Sequence, residues 1–292
     1  SGEHVITNGS CLCGAITWEV SGEPNTAYHC HCKICRKAHG AAFATYWFMT
    51  PENFLWTGSQ DTVTTYPTSA SLNRTFCGTC GSTLPVVASP WMPEETEDGV
   101  YVPAGSHDYG PAPQIHIFIA HKAPWHVVTG ELTQHDEYPP PNNFGTVPDP
   151  QLSPAQRGGV RGGCLCGAIQ FEVVEPFKIV HQCHCSRCRR ARAAAHATNG
   201  FTSMEGVVFT KGEAKIKTYK VPEAKHFSHA FCGTCGSGMP RVDSDRQIAV
   251  TPLGSLDDDP GFRPVHNIFV ASKAAWYEIT DGLPEYAEMP PT

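Results

Sequence analysis

Three cysteines within six residues, Cys30, Cys32 and Cys35, are the feature of this sequence best suited to chemistry. Three thiolates at this spacing can bind one metal ion and leave its fourth position to water or a substrate, as in catalytic zinc sites. A second structural site, completed by His29, His31 or a remote group, is equally compatible with the spacing. The side chain of His31 is expected to turn away from the metal, because it lies between two ligands in an extended segment.

A second group of four cysteines has the spacing of a structural metal site. Cys11 and Cys13 form a Cys-x-Cys-Gly pair, and Cys77 and Cys80 form a Cys-x-x-Cys-Gly pair. Four thiolates make a closed tetrahedral zinc site, and such a site contributes to folding itself. Iron accepts the same four-thiolate geometry. The glycine after each pair suits the left-handed backbone that such a turn needs.

Both groups occur twice, because the chain contains an internal duplication. Residues 9–16 recur as 162–169, 30–36 as 183–189, 76–82 as 231–237 and 117–125 as 268–276. The second copy therefore repeats both predicted metal sites, with a three-cysteine set and a four-cysteine set: Cys183, Cys185 and Cys188; Cys164, Cys166, Cys232 and Cys235. We predict a first domain over residues 1–138, a Pro-rich linker over 139–158 and a second domain over 159–292.

The elements that position these cysteines are predicted to be short strands. Residues 15–20 and 168–173 alternate in the way of half-buried strands, and residues 62–66, 114–120 and 127–129 are further strand candidates. One short helix per copy is expected after the three cysteines, over residues 36–44 and 189–197. The sequence thus predicts two small, mainly β domains.

Cationic residues directly follow each three-cysteine set, as Arg36 and Lys37 in the first copy and as Arg189 and Arg190 in the second. Three thiolates and Zn²⁺ carry a net charge of −1, so nearby cations stabilise the thiolate form. These side chains could also bind a carboxylate of the substrate, for which arginine is well shaped. Two aligned tryptophans, Trp125 and Trp276, are predicted to be core residues rather than a binding platform.

The composition excludes several classes of function. With 28 acidic against 21 basic residues and a net charge of −7, the chain is poorly suited to bind nucleic acid or an anionic membrane. No apolar run approaches the roughly 18 residues that a membrane span needs. The fourteen cysteines come without a visible secretory signal. This favours metal binding over disulfides and predicts a reducing, cytoplasmic location.

Four ordered motifs, each present twice, resemble the glutathione-dependent formaldehyde-activating enzyme family. They are Gly-x-Cys-x-Cys-Gly, Cys-His-Cys-x-x-Cys-Arg, Phe-Cys-x-x-Cys-Gly-Ser and Ile-Phe-x-Ala-x-Lys-Ala-x-Trp. The resemblance implies two tandem β-tent zinc domains, with the four-cysteine sets as structural ligands and the three-cysteine sets as catalytic ligands. It also implies up to two zinc ions per domain, and formation or cleavage of a carbon–sulfur bond in a glutathione adduct.

The two copies differ around the three-cysteine sets. His39, Gly40 and Phe43 of the first copy align with Arg192, Ala193 and His196 of the second. His116 aligns with Asn267, while His266 lies one position earlier. A displacement by one residue in a strand turns a side chain to the other face, so His266 is not expected to replace His116. These differences argue against identical activity in the two copies.

Three functions compete on this basis. The leading hypothesis is a zinc-dependent carbon–sulfur lyase or synthase that acts on an adduct of glutathione, or of another small thiol, with an aldehyde. The second is a thiol-independent zinc Lewis-acid or acid–base enzyme that uses His39, His116 or His196. The third is a non-enzymatic, protein-binding zinc module. A small-molecule substrate and an intramolecular pseudo-dimer of the two domains are expected in the leading case.

Overall fold

The structure is a computed structural model that describes residues 5–68, 73–88, 98–140, 152 and 154–291. Most of the proposed linker lies outside these residues, so the domain boundaries stay predictions. The described chain is mainly β, as predicted, and each copy contains one short α-helix. Helix α1 spans Lys33–His39 and helix α2 spans Ser186–Arg192.

In its described ranges the first copy contains eleven strands: β1 Ile6–Ser10, β2 Thr17–Ser21, β3 Thr26–Cys30, β4 Ala44–Met49, β5 Phe54–Trp56, β6 Val63–Pro67, β7 Asn73–Cys77, β8 Val86–Ala88, β9 Gly99–Pro103, β10 Ile115–Ile117 and β11 Thr133–Gln134. The second copy contains ten strands: β12 Val160–Gly163, β13 Gln170–Val173, β14 Ile179–Cys183, β15 Ala197–Ser203, β16 Val207–Lys211, β17 Ile216–Lys220, β18 Ser228–Cys232, β19 Arg241–Asp243, β20 Ile248–Pro252 and β21 His266–Ile268. Strands β1–β10 recur in the same order as β12–β21, which reflects the duplication.

Each copy is built on one larger sheet that carries the segment leading into the three cysteines. The strand order is β11-β10-β3-β4-β9-β8 in the first copy and β19-β20-β15-β14-β21 in the second. Strands β3 and β10 are parallel, with His29 opposite His116 and Cys30 opposite Ile117. Because side chains alternate along a strand, His29 and Cys30 face opposite sides of this sheet. The smaller sheets are β1-β2-β5, β12-β13-β16 and the hairpins β6-β7 and β17-β18.

The helices begin earlier than predicted. Cys32 caps α1, because its Sγ accepts a hydrogen bond from the backbone N–H of Cys35, and Gly40 ends the helix with a positive φ of 59°. Helix α2 begins and ends in the same way, at Cys185 and Ala193. The predicted ends at 44 and 197 were wrong, because both residues start strands. Residues 127–129, predicted as a strand, have no regular structure.

The two copies share one hydrophobic core. Trp18, Trp47 and Trp125 of the first copy belong to the same buried cluster as Phe171 and Trp276 of the second. The rings of Trp47 and Trp276 are 6.4 Å apart, and Trp276 Nε1 donates a hydrogen bond to a carbonyl of the first copy at 3.0 Å. Burial of each such side chain stabilises the fold by about 1.5–3 kcal/mol. The prediction that Trp125 and Trp276 are core residues is confirmed.

The helix of each copy packs against a 3₁₀ turn of the other copy. Helix α1 contacts Leu253–Ser255 and α2 contacts Ala104–Ser106. At the centre of these turns a side chain has no room, since a Cβ on Gly105 or on Gly254 would collide with the backbone of the other copy. The two contacts are therefore equivalent and tight.

No helix in the described ranges has the length and apolar character needed to cross a bilayer. The cytoplasmic location and the lack of a nucleic-acid partner, both inferred from composition, stay predictions.

Candidate metal centres

The four-cysteine sets have the geometry of tetrahedral metal sites. Within each set all four sulfur atoms lie within 4.8 Å of one another. The Sγ atoms of Cys11 and Cys13 are 3.5 Å apart, and those of Cys13 and Cys77 are 3.8 Å apart. Tetrahedral zinc with sulfur at about 2.3 Å requires sulfur atoms about 3.8 Å apart. The residues present therefore fit the metal, and all fourteen cysteines are free of disulfides.

The surroundings of the two four-cysteine sets are alike. In the first copy, the backbone N–H of Ile16 donates to Cys11 Sγ at 3.4 Å, and Ser82 Oγ lies 3.4 Å from Cys80 Sγ. The corresponding distances in the second copy are 3.2 Å and 3.3 Å. Glycines with positive φ follow the cysteine pairs of both copies, as predicted. The four-cysteine sets are thus duplicated with little change.

The three-cysteine sets are also compact. The sulfur atoms of Cys30, Cys32 and Cys35 lie within 4.8 Å of one another, and so do those of the second copy. We call these sets the first and second cysteine cluster. Among the described residues, no histidine, carboxylate or further cysteine joins either group. The side chain of His31 turns away, as predicted, and its Nε2 lies 2.9 Å from Nδ1 of His116.

A buried arginine contacts the first cysteine cluster from strand β7. Arg74 Nη2 donates to Cys35 Sγ at 3.1 Å, and Nη1 donates to the hydroxyl of Tyr46 at 3.0 Å. The Tyr46 hydroxyl is 2.6 Å from His39 Nε2, and His39 Nδ1 is 2.8 Å from the carbonyl oxygen of Arg192. Because a carbonyl only accepts, His39 Nδ1 donates to it and Nε2 accepts from Tyr46. Burial lowers the pKa of His39 to about 4, which matches this neutral form.

The second cysteine cluster has the same two residue types at exchanged positions. Arg192 occupies the position of His39, and His229 occupies that of Arg74. Arg192 donates to Asn199 Oδ1 at 3.2 Å, and Asn199 aligns with Tyr46. Each cluster thus has a buried arginine and a buried histidine at this pair of exchanged positions. Sequence reasoning missed Arg74 and His229; the signal was this reciprocal exchange between aligned positions.

More tyrosines pack against the first cluster than against the second, where Tyr286 is the one among the described residues. Tyr28, Tyr101 and Tyr138 pack against the first cluster. Burial raises the pKa of Tyr28 and of Tyr138, so both phenols stay uncharged. Met289, which aligns with Tyr138, is 56% exposed, and Cys185 of the second cluster is partly exposed. The second cluster is therefore the more accessible of the two.

Three of the four cations predicted to bind substrate reach across to the other copy: Lys37 to Asp257, and Arg189 and Arg190 to Asp108. The nitrogen–oxygen distances are 2.7, 2.6 and 3.2 Å. The fourth, Arg36, is buried, and its Nε has no hydrogen-bond partner among the described residues. These contacts give the cations a role between the copies, and their role in substrate binding stays a prediction.

Two of the three histidines proposed for catalysis do not contact a cysteine cluster. His116 lies beside His29, on the sheet face opposite the first cluster. His196 packs against Phe43 and other rings between the copies. Only His39 is linked to a cluster, through Tyr46 and the arginine of strand β7.

His266 does not take the place of His116, as predicted. Its ring stacks on His181, with the Nδ1 and Nε2 atoms of the pair 2.9 Å apart. The aligned residue, Asn267, instead contacts His184, its Oδ1 lying 2.7 Å from His184 Nε2.

Comparison with known proteins assigns both copies to the same group. The sequence model described as glutathione-dependent formaldehyde-activating enzyme matches residues 6–121 and 159–272. A Halomonas elongata protein, provisionally named as such an enzyme, is 29% identical over 130 residues, or 41% of this chain and 80% of that protein. A crystal structure of a Rhodobacter sphaeroides protein is 23% identical over 36% of this chain and 97% of that chain, with a TM-score of 0.29. The resemblance drawn from the motifs is confirmed in both copies.

Proposed function

Since the chain belongs to the glutathione-dependent formaldehyde-activating enzyme family, we propose that it is a zinc-dependent carbon–sulfur lyase or synthase. Its substrate would be an adduct of glutathione, or of another small thiol, with an aldehyde. The observation that carries the proposal is the pair of three-cysteine clusters, which lack a fourth protein ligand among the described residues. A metal site with an open position usually serves chemistry rather than folding.

The proposed reaction is addition of a thiol to a carbonyl, or its reverse. The sulfur forms a bond to the carbonyl carbon, and the thiol proton passes to the carbonyl oxygen. Zinc bound by the three thiolates would supply a lowered thiol pKa and polarisation of the carbonyl oxygen. No oxidant or reductant is needed, because cleavage returns the same thiol and aldehyde.

The residues around the first cluster would hold its sulfur atoms in the thiolate form. Arg74 donates to Cys35 Sγ, and a cationic donor favours the charged sulfur over the thiol. Tyr46 and His39 hold Arg74 in place through their hydrogen bonds. We therefore assign positioning roles to these three residues.

The second cluster is the better candidate for the thiol substrate. Cys185 is partly exposed, and Met289, which aligns with Tyr138, is itself largely exposed. Arg192 is buried, and burial lowers its pKa only to about 10, so it remains a cation near the cluster. A cationic surrounding suits glutathione, because that molecule carries two carboxylates. The two clusters would then work unequally within an intramolecular pseudo-dimer.

The thiol-independent alternative is less well supported. It needs His39, His116 or His196 near the metal. His116 lies on the other face of the sheet, and His196 packs between the copies. The non-enzymatic alternative needs a closed fourth position in both clusters, for which the described residues offer no ligand.

The decisive experiment measures exchange between free and adduct forms by NMR in mixtures of glutathione with formaldehyde and a panel of aldehydes. The zinc-loaded full chain is compared with Cys32→Ser, Cys185→Ser and the double variant, and zinc per chain is measured in each. We expect each single variant to lose one zinc ion, Cys185→Ser to lose the larger share of the exchange rate, and the double variant to lose it all. Loss of zinc with unchanged exchange would show that the cluster concerned is not catalytic. Turnover of an aldehyde without any thiol would favour the acid–base alternative.

A further inference from the structure

A cleft of about 640 Å³ lies between the copies, lined by residues of both. Aligned residues form it from opposite sides: Trp125 faces it with Trp276, and Thr129 with Thr280. The hydroxyl oxygens of the two threonines are 2.6 Å apart, so equivalent points of the two copies meet at the cleft. It lies on the His29 face of the first copy's sheet, opposite the first cysteine cluster. The cleft is therefore separate from the proposed catalytic sites.

The two walls keep some residues and differ at others, including Val127 and Ala112 of the first copy, which align with Glu278 and Arg263 of the second. The tryptophan, threonine and leucine pairs are identical in the two copies. At the polar positions, His29, His116, His126 and Gly130 of the first copy align with Gln182, Asn267, Tyr277 and Asp281 of the second. Packing alone does not require such a difference, because a duplicated interface could keep the same side chains on both sides. The asymmetry indicates a ligand whose two ends differ.

The wall formed by the first copy carries His29, His116 and His126, and we call it the histidine wall. It offers ring nitrogens that the protein does not use. His29 Nδ1 pairs with Thr45 at 2.7 Å and His116 Nδ1 pairs with His31 at 2.9 Å. The Nε2 atoms of both rings, and both ring nitrogens of His126, have no hydrogen-bond partner in the part of the chain described. Burial lowers the pKa of His116 to about 4 and that of His126 to about 3, so these rings are neutral. A neutral imidazole can both donate and accept.

A buried indole adds a further donor to this wall. Trp125 is 1% exposed, and its Nε1 has no partner among the described residues. An unpaired buried donor costs about 1–3 kcal/mol, which a ligand oxygen in the cleft could recover.

Carboxylates line both walls of the cleft, Glu131 in the first copy and Asp281 and Glu278 in the second. Asp281 accepts hydrogen bonds from Gln182 Nε2 at 2.7 Å, from Asn267 Nδ2 at 3.0 Å and from the backbone of Leu283 at 3.0 Å. All three donors are neutral, so they hold the carboxylate in place without cancelling its charge. The cation of the cleft, Arg263, forms an ion pair with Asp259 at 2.8 Å. A ligand with several carboxylates, such as glutathione, would meet repulsion here.

We propose that this cleft is a second ligand site, which takes a neutral aromatic molecule carrying phenolic hydroxyl groups. Its flat ring would pack against Phe43, Trp276 and Tyr277, and its hydroxyls would bond to the free imidazole nitrogens and to Asp281. A volume of this size suits a small molecule of two or three rings. The inference does not rest on the proposed carbon–sulfur chemistry, because it concerns other residues on another face of the sheet.

The test is a calorimetric titration of the zinc-loaded full chain with 2,6-dihydroxynaphthalene. Naphthalene-2,6-dicarboxylate serves as a ligand of the same ring system with negative charge. We expect the diol to bind at least about 10-fold more tightly than the dicarboxylate. We also expect His126→Phe to weaken binding of the diol about 10-fold, because it removes the ring nitrogens and keeps the ring. Saturating glutathione should leave the affinity for the diol unchanged.

The matched control is His266→Phe. It replaces a histidine on strand β21, the counterpart of β10, that does not line the cleft, so it should not alter binding. Far-ultraviolet circular dichroism and zinc content report whether each variant is folded. The proposal is overturned if the diol does not bind at millimolar concentration, if His126→Phe binds it as wild type does, or if glutathione competes with it. If the zinc-loaded wild-type chain binds the diol but shows no exchange activity in the NMR experiment, the proposed function alone is contradicted.

Discussion

The two cysteine clusters have identical ligands and different surroundings. The first is enclosed by three tyrosines and contacted by Arg74 from a strand. The second is partly exposed, and its arginine, Arg192, comes from the helix that follows the cysteines. Three thiolates and a divalent ion leave a net negative charge, which nearby buried cations would balance at each site. Both copies keep the buried arginine that directly follows the cysteines, Arg36 or Arg189, and each has a second buried arginine at a position that differs between the copies.

The four-cysteine sites give the opposite result, since both ligands and neighbouring hydrogen bonds are repeated with differences of 0.2 Å or less. A site that only stabilises the fold has one requirement, which both copies share. A site that reacts, as we propose for the three-cysteine clusters, must also admit a substrate, and the surroundings of these clusters have diverged between the copies. Each of the following experiments tests one side of this contrast.

The largest effect is expected from breaking a four-cysteine site. Cys80→Ser and Cys235→Ser should each release one zinc ion and unfold the whole chain at 25 °C. A structural zinc contributes about 10 kcal/mol or more, against a total stability of about 5–15 kcal/mol, and the copies share one core. Calorimetric unfolding with zinc analysis measures this. Two separate transitions, with one copy left folded, would contradict the shared core.

A smaller effect, again equal in the two copies, is expected at the two 3₁₀ turns that pack against the helix of the other copy. Gly105→Ala and Gly254→Ala each place a methyl group against the backbone of the other copy. We expect each to reduce the free energy of unfolding by about 1–3 kcal/mol, the usual cost of overpacking. Urea unfolding measures both. A difference between them larger than this range would mean that the two contacts are not equivalent.

Much of this organisation could be predicted from the sequence. The duplication, both kinds of cysteine set and the outward turn of His31 follow from motif spacing, because metal ligands must lie close together in the fold. His266 lies one position before Asn267, the residue that aligns with His116. That His266 does not replace His116 follows from the alternation of side chains along a strand. These are local rules that a short stretch of sequence obeys by itself.

What could not be predicted depends on contacts between distant segments. Arg74 lies far along the chain from Cys35, and Lys37 pairs with Asp257 of the other copy. The helix start was misplaced because a cysteine predicted to bind the metal also caps the helix, a role usually taken by Ser, Thr, Asp or Asn. Residues 127–129 have the composition of a strand but line the cleft between the copies.

The role of Arg74 gives an asymmetric prediction for catalysis. In the Cys185→Ser background only the first cluster is complete. There, Arg74→Met should lower kcat/KM for the thiol adduct about 10- to 100-fold, because losing a residue that supports a metal ligand usually has an effect of this size. Arg74→Lys should recover part of this loss, because it restores the charge without the paired hydrogen bonds. Arg192→Met in the Cys32→Ser background is the matched variant of the second cluster. Unchanged kcat/KM in both would mean that the buried cations serve folding alone.

The smallest effect concerns His126, one of the neutral histidines between the copies. Burial lowers its pKa to about 3 in the folded chain, whereas an unfolded histidine titrates near 6.5. As the pH falls below 6.5, the unfolded chain therefore gains a proton that the folded chain does not, and the free energy of unfolding decreases. At pH 5.5 this amounts to about 1.4 kcal/mol for one such residue.

His126→Phe removes this titration without breaking a hydrogen bond to the described residues. Between pH 7.5 and 5.5, at saturating zinc, the variant should thus lose about 1.4 kcal/mol less stability than wild type, measured by urea unfolding. The aligned residue of the second copy is Tyr277, whose pKa burial raises, so it stays neutral over this range and has no such effect. Equal pH dependence of wild type and variant would mean that His126 binds a proton in the folded chain. The cleft would then carry positive charge at His126 in weak acid, beside the carboxylates that also line it.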